Sequence, residues 1–406
     1  MNEIQIMRWF FVIWTVLMVL IYYYLGIRLI KPAKLTPRQK RFSWAAIAFI
    51  PVTQIVSFVI RQSTDNGIMQ YIFSWISYAG FGFISLILAG LIIRDLGLTC
   101  TRLFAGIQKF ILRNKGGPKP FDVERRRFLI NATNLGIMGA SALFTGYGIY
   151  EARRQPILEK IEVPIDNLPP GLEGFTIAQF TDIHAGNTIK RNFIQSAVDQ
   201  VNDLKADTIV FTGDLVDGTV KKLRNDVQPL KELTAPHGVF YITGNHEYYS
   251  DGGAEPWIEE MDRLGLIVLI NENKIIEHNN SILFMAGVTD YRAGSIYPPH
   301  RSDPKKAMAG APEDAIKILL AHQPKSILGA SANNVDLQLS GHTHGGQYFP
   351  WNFLVTIDQP YISGLHKYKK TWIYVNRGTG YWGPPIRLGI PSEVTLITLV
   401  SANLAA

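Results

Sequence analysis

Five times between residues 176 and 347, an apolar run with the character of a buried strand stops abruptly on Asp, Asn or His. The runs are Thr176-Ile-Ala-Gln-Phe-Thr-Asp-Ile-His184, Thr208-Ile-Val-Phe-Thr-Gly-Asp-Leu-Val-Asp217, Val239-Phe-Tyr-Ile-Thr-Gly-Asn-His-Glu247, Ile316-Lys-Ile-Leu-Leu-Ala-His322 and Asp336-Leu-Gln-Leu-Ser-Gly-His-Thr-His344. An open sheet flanked by helices binds ligands beyond the carboxyl ends of its strands. Such a sheet would bring Asp182, His184, Asp214, Asn245, His322, His342 and His344 to one rim. Glycines beside His342 and His344 let the backbone bend tightly and approach a bound ion.

Between these runs the pattern alternates. Phe193, Ile194, Ala197, Val198, Val201 and Leu204 recur at helical spacing over Lys190–Leu204. Trp257–Leu264 reads as a short helix and Pro312–Ile316 as a helical turn. Residues 267–270, 281–288, 372–375 and 394–400 read as strands, and the stretch 218–234 is polar. The expected fold class is α/β, a sandwich over residues 171–406, a region large enough to bury a real core. Residues 151–170, polar and ending in Leu168-Pro-Pro170, read as a linker.

Residues 1–150 read as a membrane region with about four transmembrane helices. Met7–Ile30 is long enough to cross a hydrocarbon core of roughly 30 Å. Trp44–Ile60 is shorter and interrupted by Pro51, Tyr71–Ile93 is uninterrupted, and Leu129–Tyr150 is diluted by Asn131, Asn134 and several glycines. Leu103–Leu112 is too short to span and reads as an interfacial or loop helix. Residues 28–43 carry six Lys and Arg with no acid, and 94–128 carry nine, whereas 61–70 set Arg61 against Asp65. Positive charge collects on cytoplasmic loops, which places the first two of these inside and the third outside. Four spans then make the protein a multi-pass inner-membrane protein with its C-terminal domain extracytoplasmic. Arg125-Arg126-Arg127-Phe-Leu before the fourth run resembles an internal twin-arginine export signal and points the same way.

The formal charge of +7 does not mark a nucleic-acid binder, because it divides into +12 over residues 1–150 and −5 over 151–406. The single Cys100 excludes an intrachain disulfide and any multi-Cys zinc site. Three carboxylate or amide oxygens and four imidazoles exceed the needs of one ion. Mixed N/O donors without sulfur suit two divalent ions drawn from Mn, Fe, Zn or Co. Such a pair needs a shared anionic ligand, and it clamps the attacking and leaving oxygens of an in-line phosphoryl displacement. His246 would stand beside the metals and donate a proton to the leaving oxygen.

The blocks Asp182-Ile-His184, Gly213-Asp214-Leu-Val-Asp217, Gly244-Asn-His-Glu247, His322 and Gly341-His-Thr-His344 resemble, in order, the signature of the calcineurin-like metallophosphoesterases. Arg377-Gly-Thr-Gly-Tyr-Trp-Gly-Pro-Pro-Ile-Arg387 resembles the membrane-attached bacterial branch of that family. The resemblance implies a β-sandwich of mixed sheets covered by helices. It also implies Asp182, His184 and His344 on one metal, Asn245, His322 and His342 on the other, Asp214 bridging, and His246 as proton donor. All nine histidines lie in residues 151–406, but His237, His278, His300 and His366 read as surface or loop residues. Asp217 and Glu247 read as supports for their neighbours. Asp290 fits either a turn or a supporting role, and Tyr248, Tyr249, Tyr381 and Trp382 fit either a substrate groove or packing.

The expected function is a membrane-anchored, binuclear metal-dependent phosphoesterase. It would act on a phosphodiester or pyrophosphate bond in a lipid-linked or envelope substrate. Phosphomonoester or phosphoprotein hydrolysis and a non-catalytic membrane sensor are the rival readings. A sensor has no chemical need for both His246 and Asp214.

Overall fold

The computed structural model describes the backbone of residues 3–63, 67–111 and 122–402, and their side chains except 3–12, 14, 61–63 and 109. The chain forms two compact units, Met1–Tyr147 and Gly148–Ala406. The first is built on α1 (Glu3–Ile30), α2 (Pro37–Ser63), α3 (Gly67–Ile111) and α4 (Val123–Arg153). Three segments among the described residues are long and apolar enough to cross a membrane, namely Pro37–Ile60, Gly67–Gln108 and Val123–Arg153; Thr15–Ile30 is a shorter apolar helix.

This unit is inside out relative to a protein in water. Thr53, Ser57, Ser74, Ser77, Ser85 and Ser141 are buried, whereas Ile55, Phe58, Leu143 and Phe144 are exposed. Lipid solvates such an apolar exterior, and interior hydroxyls take backbone partners within the helices. Thr53 Oγ1 donates to Ile50 O at 2.7 Å and Ser85 Oγ to Gly82 O at 2.7 Å. Tyr22, Leu25, Ile87 and Leu91 form a core with Ile47, Ile50 and Ile137, so all four helices contribute.

Several sequence expectations change here. Helix α2 continues through Pro51. Leu103–Leu112, expected as a separate helix, is through Ile111 the unbroken end of α3. No proline intervenes, and one mid-helix Gly costs only about 1 kcal/mol. At 45 residues and 1.5 Å per residue α3 is roughly 68 Å long, so its basic end projects beyond a bilayer core. The asparagines that dilute the fourth run have partners: Asn131 Nδ2 donates to Pro32 O at 3.2 Å and Asn134 Nδ2 to Arg28 O at 2.9 Å. Asp65, Arg113, Lys115 and Lys119 of the basic and acidic loops, and the Arg61 side chain, lie outside the described residues.

The second unit holds β1 (Ile157–Ile165), β2 (Thr176–Phe180), β3 (Thr208–Phe211), β4 (Val239–Tyr241), β5 (Ile267–Val268), β6 (Glu272–His278), β7 (Ser281–Gly287), β8 (Ile316–Leu320), β9 (Leu337–Ser340), β10 (Gly364–Tyr368), β11 (Thr371–Val375) and β12 (Glu393–Ser401). One six-stranded sheet runs β1-β12-β2-β3-β4-β5 and the other β10-β11-β9-β8-β7-β6. Strands β2 to β5 are mutually parallel, as are β7, β8, β9 and β11, with antiparallel partners at β12, β6 and β10.

Most central strands are apolar throughout because both faces are covered. Ile177, Val210, Phe240, Ile318, Leu337 and Leu339 point between the sheets into one core. Their neighbours Ala178, Phe180, Ile209, Phe211 and Tyr241 pack outward under Ile194, Val198 and Val201 of the helix Arg191–Asp203 and under Trp257 and Met261 of the helix Glu255–Arg263. On the other side Leu319, Ala321, Ile373 and Val375 meet Ile327 and Ala330 of the helix Ile327–Ala332. The result is two mixed sheets between helical layers.

The expected linker 151–170 is largely structured instead. Arg153 ends α4, and β1 pairs along its whole length, parallel, with β12. Ile161, Val163 and Ile165 recur with period two and reach the inter-sheet core, a short signal obscured by the intervening charges. Pro164 is tolerated because β1 is an edge strand. The polar stretch 218–234 contains the helix Val220–Val227. Ile318→Ala, which empties a fully buried position between the sheets, should cost about 2–4 kcal/mol in a denaturant titration. An unchanged midpoint would contradict this packing.

Candidate metal centre

The parallel strands β2, β3, β4, β8 and β9 all deliver their carboxyl ends to the residues singled out above. Five of these break the backbone in the same way: Asp182, His184, Asp214, His342 and His344 have φ between 50° and 72°. Left-handed backbone costs a non-glycine residue of order 1 kcal/mol and clusters where a binding site over-determines it. The kinks turn side chains that would continue an alternating strand toward a common point.

Two groups of ligand atoms result. Asp182, His184 and His344 form one, and Asp214, His322 and His342 the other, each with its ligand atoms within 4.8 Å of one another. In the first, His184 Nε2 lies 3.0 Å from His344 Nε2, and Asp182 Oδ1 is 4.0 and 3.6 Å from the two. In the second, His322 Nε2 is 3.1 Å from His342 Nδ1 and 3.1 Å from Asp214 Oδ2. Asp214 Oδ2 also lies 3.7 Å from His184 Nε2, so one oxygen faces both groups. Asn245 Oδ1 is buried with no hydrogen-bond partner. An orphaned buried carbonyl oxygen is costly, and this one sits where the resemblance places a metal ligand.

Hydrogen bonds behind the site set the tautomers. His322 Nδ1 donates to Thr212 O at 2.8 Å, and His184 Nδ1 donates to Asp217 Oδ1 at 3.0 Å. With Nδ1 engaged behind, each imidazole faces inward through Nε2, the arrangement outer partners impose on metal-binding histidines. The Asp182 carboxylate accepts from the His342 backbone N–H at 2.9 and 3.0 Å and from Thr181 Oγ1 at 2.7 Å. Asp214 Oδ1 accepts from the His246 N–H at 2.9 Å, which leaves Oδ2 for the centre. Glu247 binds no ligand group. Its buried carboxylate accepts from the backbone N–H groups of Asp214, Leu215 and Gly244 at 3.2, 2.7 and 2.7 Å, tying the loops after β3 and β4 together.

The third acid–imidazole cluster, His184, Asp217 and His246, is a hydrogen-bond relay. Asp217 Oδ1 accepts from His184 and also from His246 Nδ1 at 2.7 Å. Burial raises the Asp217 carboxyl, but the His184 and His246 charges outweigh it and hold it far below its ordinary value. Burial alone would lower His246; the Asp214 and Asp217 charges instead push it up to about 9, which keeps the ring protonated at neutral pH. Burial raises Asp214 too, but His322 and His246 leave it well below the carboxylate range. Burial and the His322 charge bring His342 down to about 3, and burial with His184 and Arg387 holds His344 well below its ordinary value. Both present the neutral imidazole that ligates metal.

Arg387 is a supporting residue that sequence reasoning did not single out. It is fully buried, and its Nη2 lies 3.1 Å behind His344 Nδ1. It also donates to Arg377 O at 2.8 Å and Gly378 O at 3.2 Å, and its Nε to Gly380 O at 3.1 Å. The same loop is tied to the first group by Thr379 N to Thr181 O (2.8 Å) and Gly380 N to Asp182 O (3.0 Å). The signal available was an arginine inside a Gly- and Pro-rich block, which carries no partner information by itself.

Of the four aromatic candidates, Tyr248 and Tyr381 are buried packing residues, while Tyr249 and Trp382 are exposed. The two exposed rings meet the His246 ring at 5.3 and 5.7 Å between centroids. Asp290 caps a turn through Arg292 N and accepts from Gln323 Nε2 at 2.8 Å, beside His322. His237 pairs with His278 at 2.9 Å, His300 with Tyr248 at 3.0 Å and His366 with Ser363 O at 2.8 Å, all outside the clusters.

Two glycines permit the close approach. A Cβ on Gly244 would fall 2.2 Å from Asp214 Oδ1, and one on Gly341 would fall 2.1 Å from Asp182 Oδ2. Gly341 has no positive φ, so alanine there meets only the carboxylate and Thr181. Gly341→Ala should therefore displace Asp182 and lower the bound metal per chain in elemental analysis. Unchanged metal content in a folded variant would contradict the site.

The sequence pattern of the family described as calcineurin-like phosphoesterase matches residues 175–346. An uncharacterized metallophosphoesterase of Helicobacter pylori is 38% identical over 285 residues, covering 69% of this chain and 74% of that protein. A Danio rerio transmembrane protein with metallophosphoesterase domain is 36% identical over 269 residues, 64% and 61% of the two chains. The uncharacterized metallophosphoesterase YkuE of Bacillus subtilis is 31% identical over 290 residues, 69% of this chain and 99% of its own length. By its similarity to these relatives and its match to the family pattern, the chain belongs to the calcineurin-like metallophosphoesterase family.

Proposed function

We propose that this protein is a membrane-anchored, two-metal hydrolase of a phosphodiester or pyrophosphate bond. The observation that carries the reading is the single Asp214 oxygen facing both ligand groups; the buried, unpartnered Asn245 Oδ1 just beyond β4 supports it. Asp182, His184 and His344 would hold one divalent ion and Asn245, His322 and His342 the other, with Asp214 shared. Mn, Fe, Zn and Co all suit this N/O donor set. When bound, such a pair neutralises charge developing on the phosphoryl group and activates a water as the nucleophile.

The chain's own groups do the rest. Asn245 contributes no charge, which leaves the centre positive toward an anionic substrate. His246 is oriented by Asp217 through Nδ1, so its Nε2–H is the proton available to the departing oxygen. Tyr249 and Trp382 flank His246 and are exposed, so they are placed to bracket the substrate.

A lipid-borne substrate is favoured by the helix Trp351–Asp358, which follows the His342–His344 loop closely and has no buried residue. It exposes Phe353, Leu354 and Ile357, an apolar face suited to an acyl or polyprenyl chain. We place the protein in the inner membrane with the catalytic unit extracytoplasmic, on the strength of the basic excess in residues 28–43 and 94–128.

The full chain in detergent should hydrolyse bis(p-nitrophenyl) phosphate faster than p-nitrophenyl phosphate, and only after metal is restored. His246→Ala should cut kcat by about 100-fold or more and Asp214→Asn should abolish turnover. Two bound metals with no turnover on either ester would favour a sensor; failure on every phospholipid and lipid-sugar diphosphate would remove the lipid assignment. For sidedness, a Cys100→Ser, Lys370→Cys chain should react with an impermeant maleimide while the inner membrane is intact, whereas native Cys100 should react only after lysis. The opposite pattern would put the catalytic unit in the cytoplasm.

A further inference from the structure

A second site lies in the membrane unit. A cavity of about 550 Å³ is bounded by the end of α1, the basic part of α3 and the start of α4. Arg28, Lys31, Arg94, Arg102, Arg126 and Arg127 line it, against Asp95 as its one carboxylate. That carboxylate is already engaged: Tyr24 OH donates to it at 2.8 Å, Arg94 Nη2 at 2.8 Å and Arg28 Nε at 2.7 Å.

The frame around the cavity is held by hydrogen bonds between helices. Asn134 donates to Arg28 O and accepts from Arg94, so α1, α3 and α4 are joined at this level. Lys31 and Arg102 are exposed on the wall. Arg28 and Arg94 are engaged with Asp95, and Arg127 with Glu124 at 3.4 Å; Lys31 and Arg102 add positive charge to the wall, and the balance there favours a bound anion. The wall also contains Ile27, Leu98, Val123 and Ile130. A site for a free aqueous anion has no need of apolar walls, whereas an amphiphile presents both characters together. The cavity also stands where apolar stretches of α1, α3 and α4 give way to basic residues, the depth at which headgroup phosphates lie, and basic pockets between membrane helices bind such headgroups.

We propose that this cavity binds the phosphate of an anionic phospholipid headgroup. The bound lipid would bridge the three helices and fix the basic end of α3. The site is separate from the metal centre, and the proposal does not depend on the catalytic reading.

The test uses the full chain in a neutral detergent, with native mass spectrometry recording retention of added phosphatidylglycerol or phosphatidylcholine, with and without millimolar inorganic phosphate. The expected result is about tenfold tighter retention of phosphatidylglycerol, persistence in phosphate, and loss of the preference in a Lys31→Gln, Arg102→Gln chain. That variant should keep the wild-type Tm. Equal retention of the two lipids, or a preference that survives both substitutions, would overturn the proposal. Complete displacement by inorganic phosphate would also overturn it, by showing a free-anion site.

Discussion

The second unit is organised around buried imidazole and carboxylate atoms that face one another. His184 Nε2 and His344 Nε2 stand 3.0 Å apart, and His322 Nε2 stands 3.1 Å from Asp214 Oδ2. The Arg387 guanidinium donates to His344 Nδ1, so the neutral His344 ring carries its proton on Nε2 and donates it to His184 Nε2, a place a bound cation would take. Burial would lower His322, but the Asp214 charge beside it drives the ring well above its ordinary range, with Nε2 facing Asp214 Oδ2. Thr212 O and Asp217 behind the rings fix which nitrogen faces inward. The fold thus holds these buried groups close together, an electrostatic cost that two cations would relieve.

The sandwich makes that assembly affordable. Strands covered on both faces anchor the loops in two continuous cores, and Glu247 and Arg387 then satisfy loop backbone groups that have no strand partner. Such a frame keeps five left-handed residues in place. The membrane unit follows the opposite solvent logic with the same rule of polar satisfaction: its interior asparagines and serines find carbonyls, and its exterior is left to lipid.

Much of this could be read from the chain because each candidate ligand sits directly after its own strand. Asp182, Asp214, Asn245, His322 and His342 need only local sequence to be placed at a strand end, and parallel strands collect those ends on one rim. Residues that act through distant partners were less legible. Asp217 was expected to support neighbours, but its joining of His184 to His246 depends on two loops meeting. Arg387 gives no local sign that it will stand behind His344. The strand β1 was hidden because an edge strand alternates with charge and resembles a linker. The end of α3 was hidden because hydropathy fell while helix propensity did not.

The most direct measurement is anomalous diffraction from crystals of the metal-loaded chain. Two peaks should appear, one among Asp182, His184 and His344 and one among Asn245, His322 and His342, with Asp214 between them. A single peak, or a peak held by the His184–Asp217–His246 relay, would contradict the account.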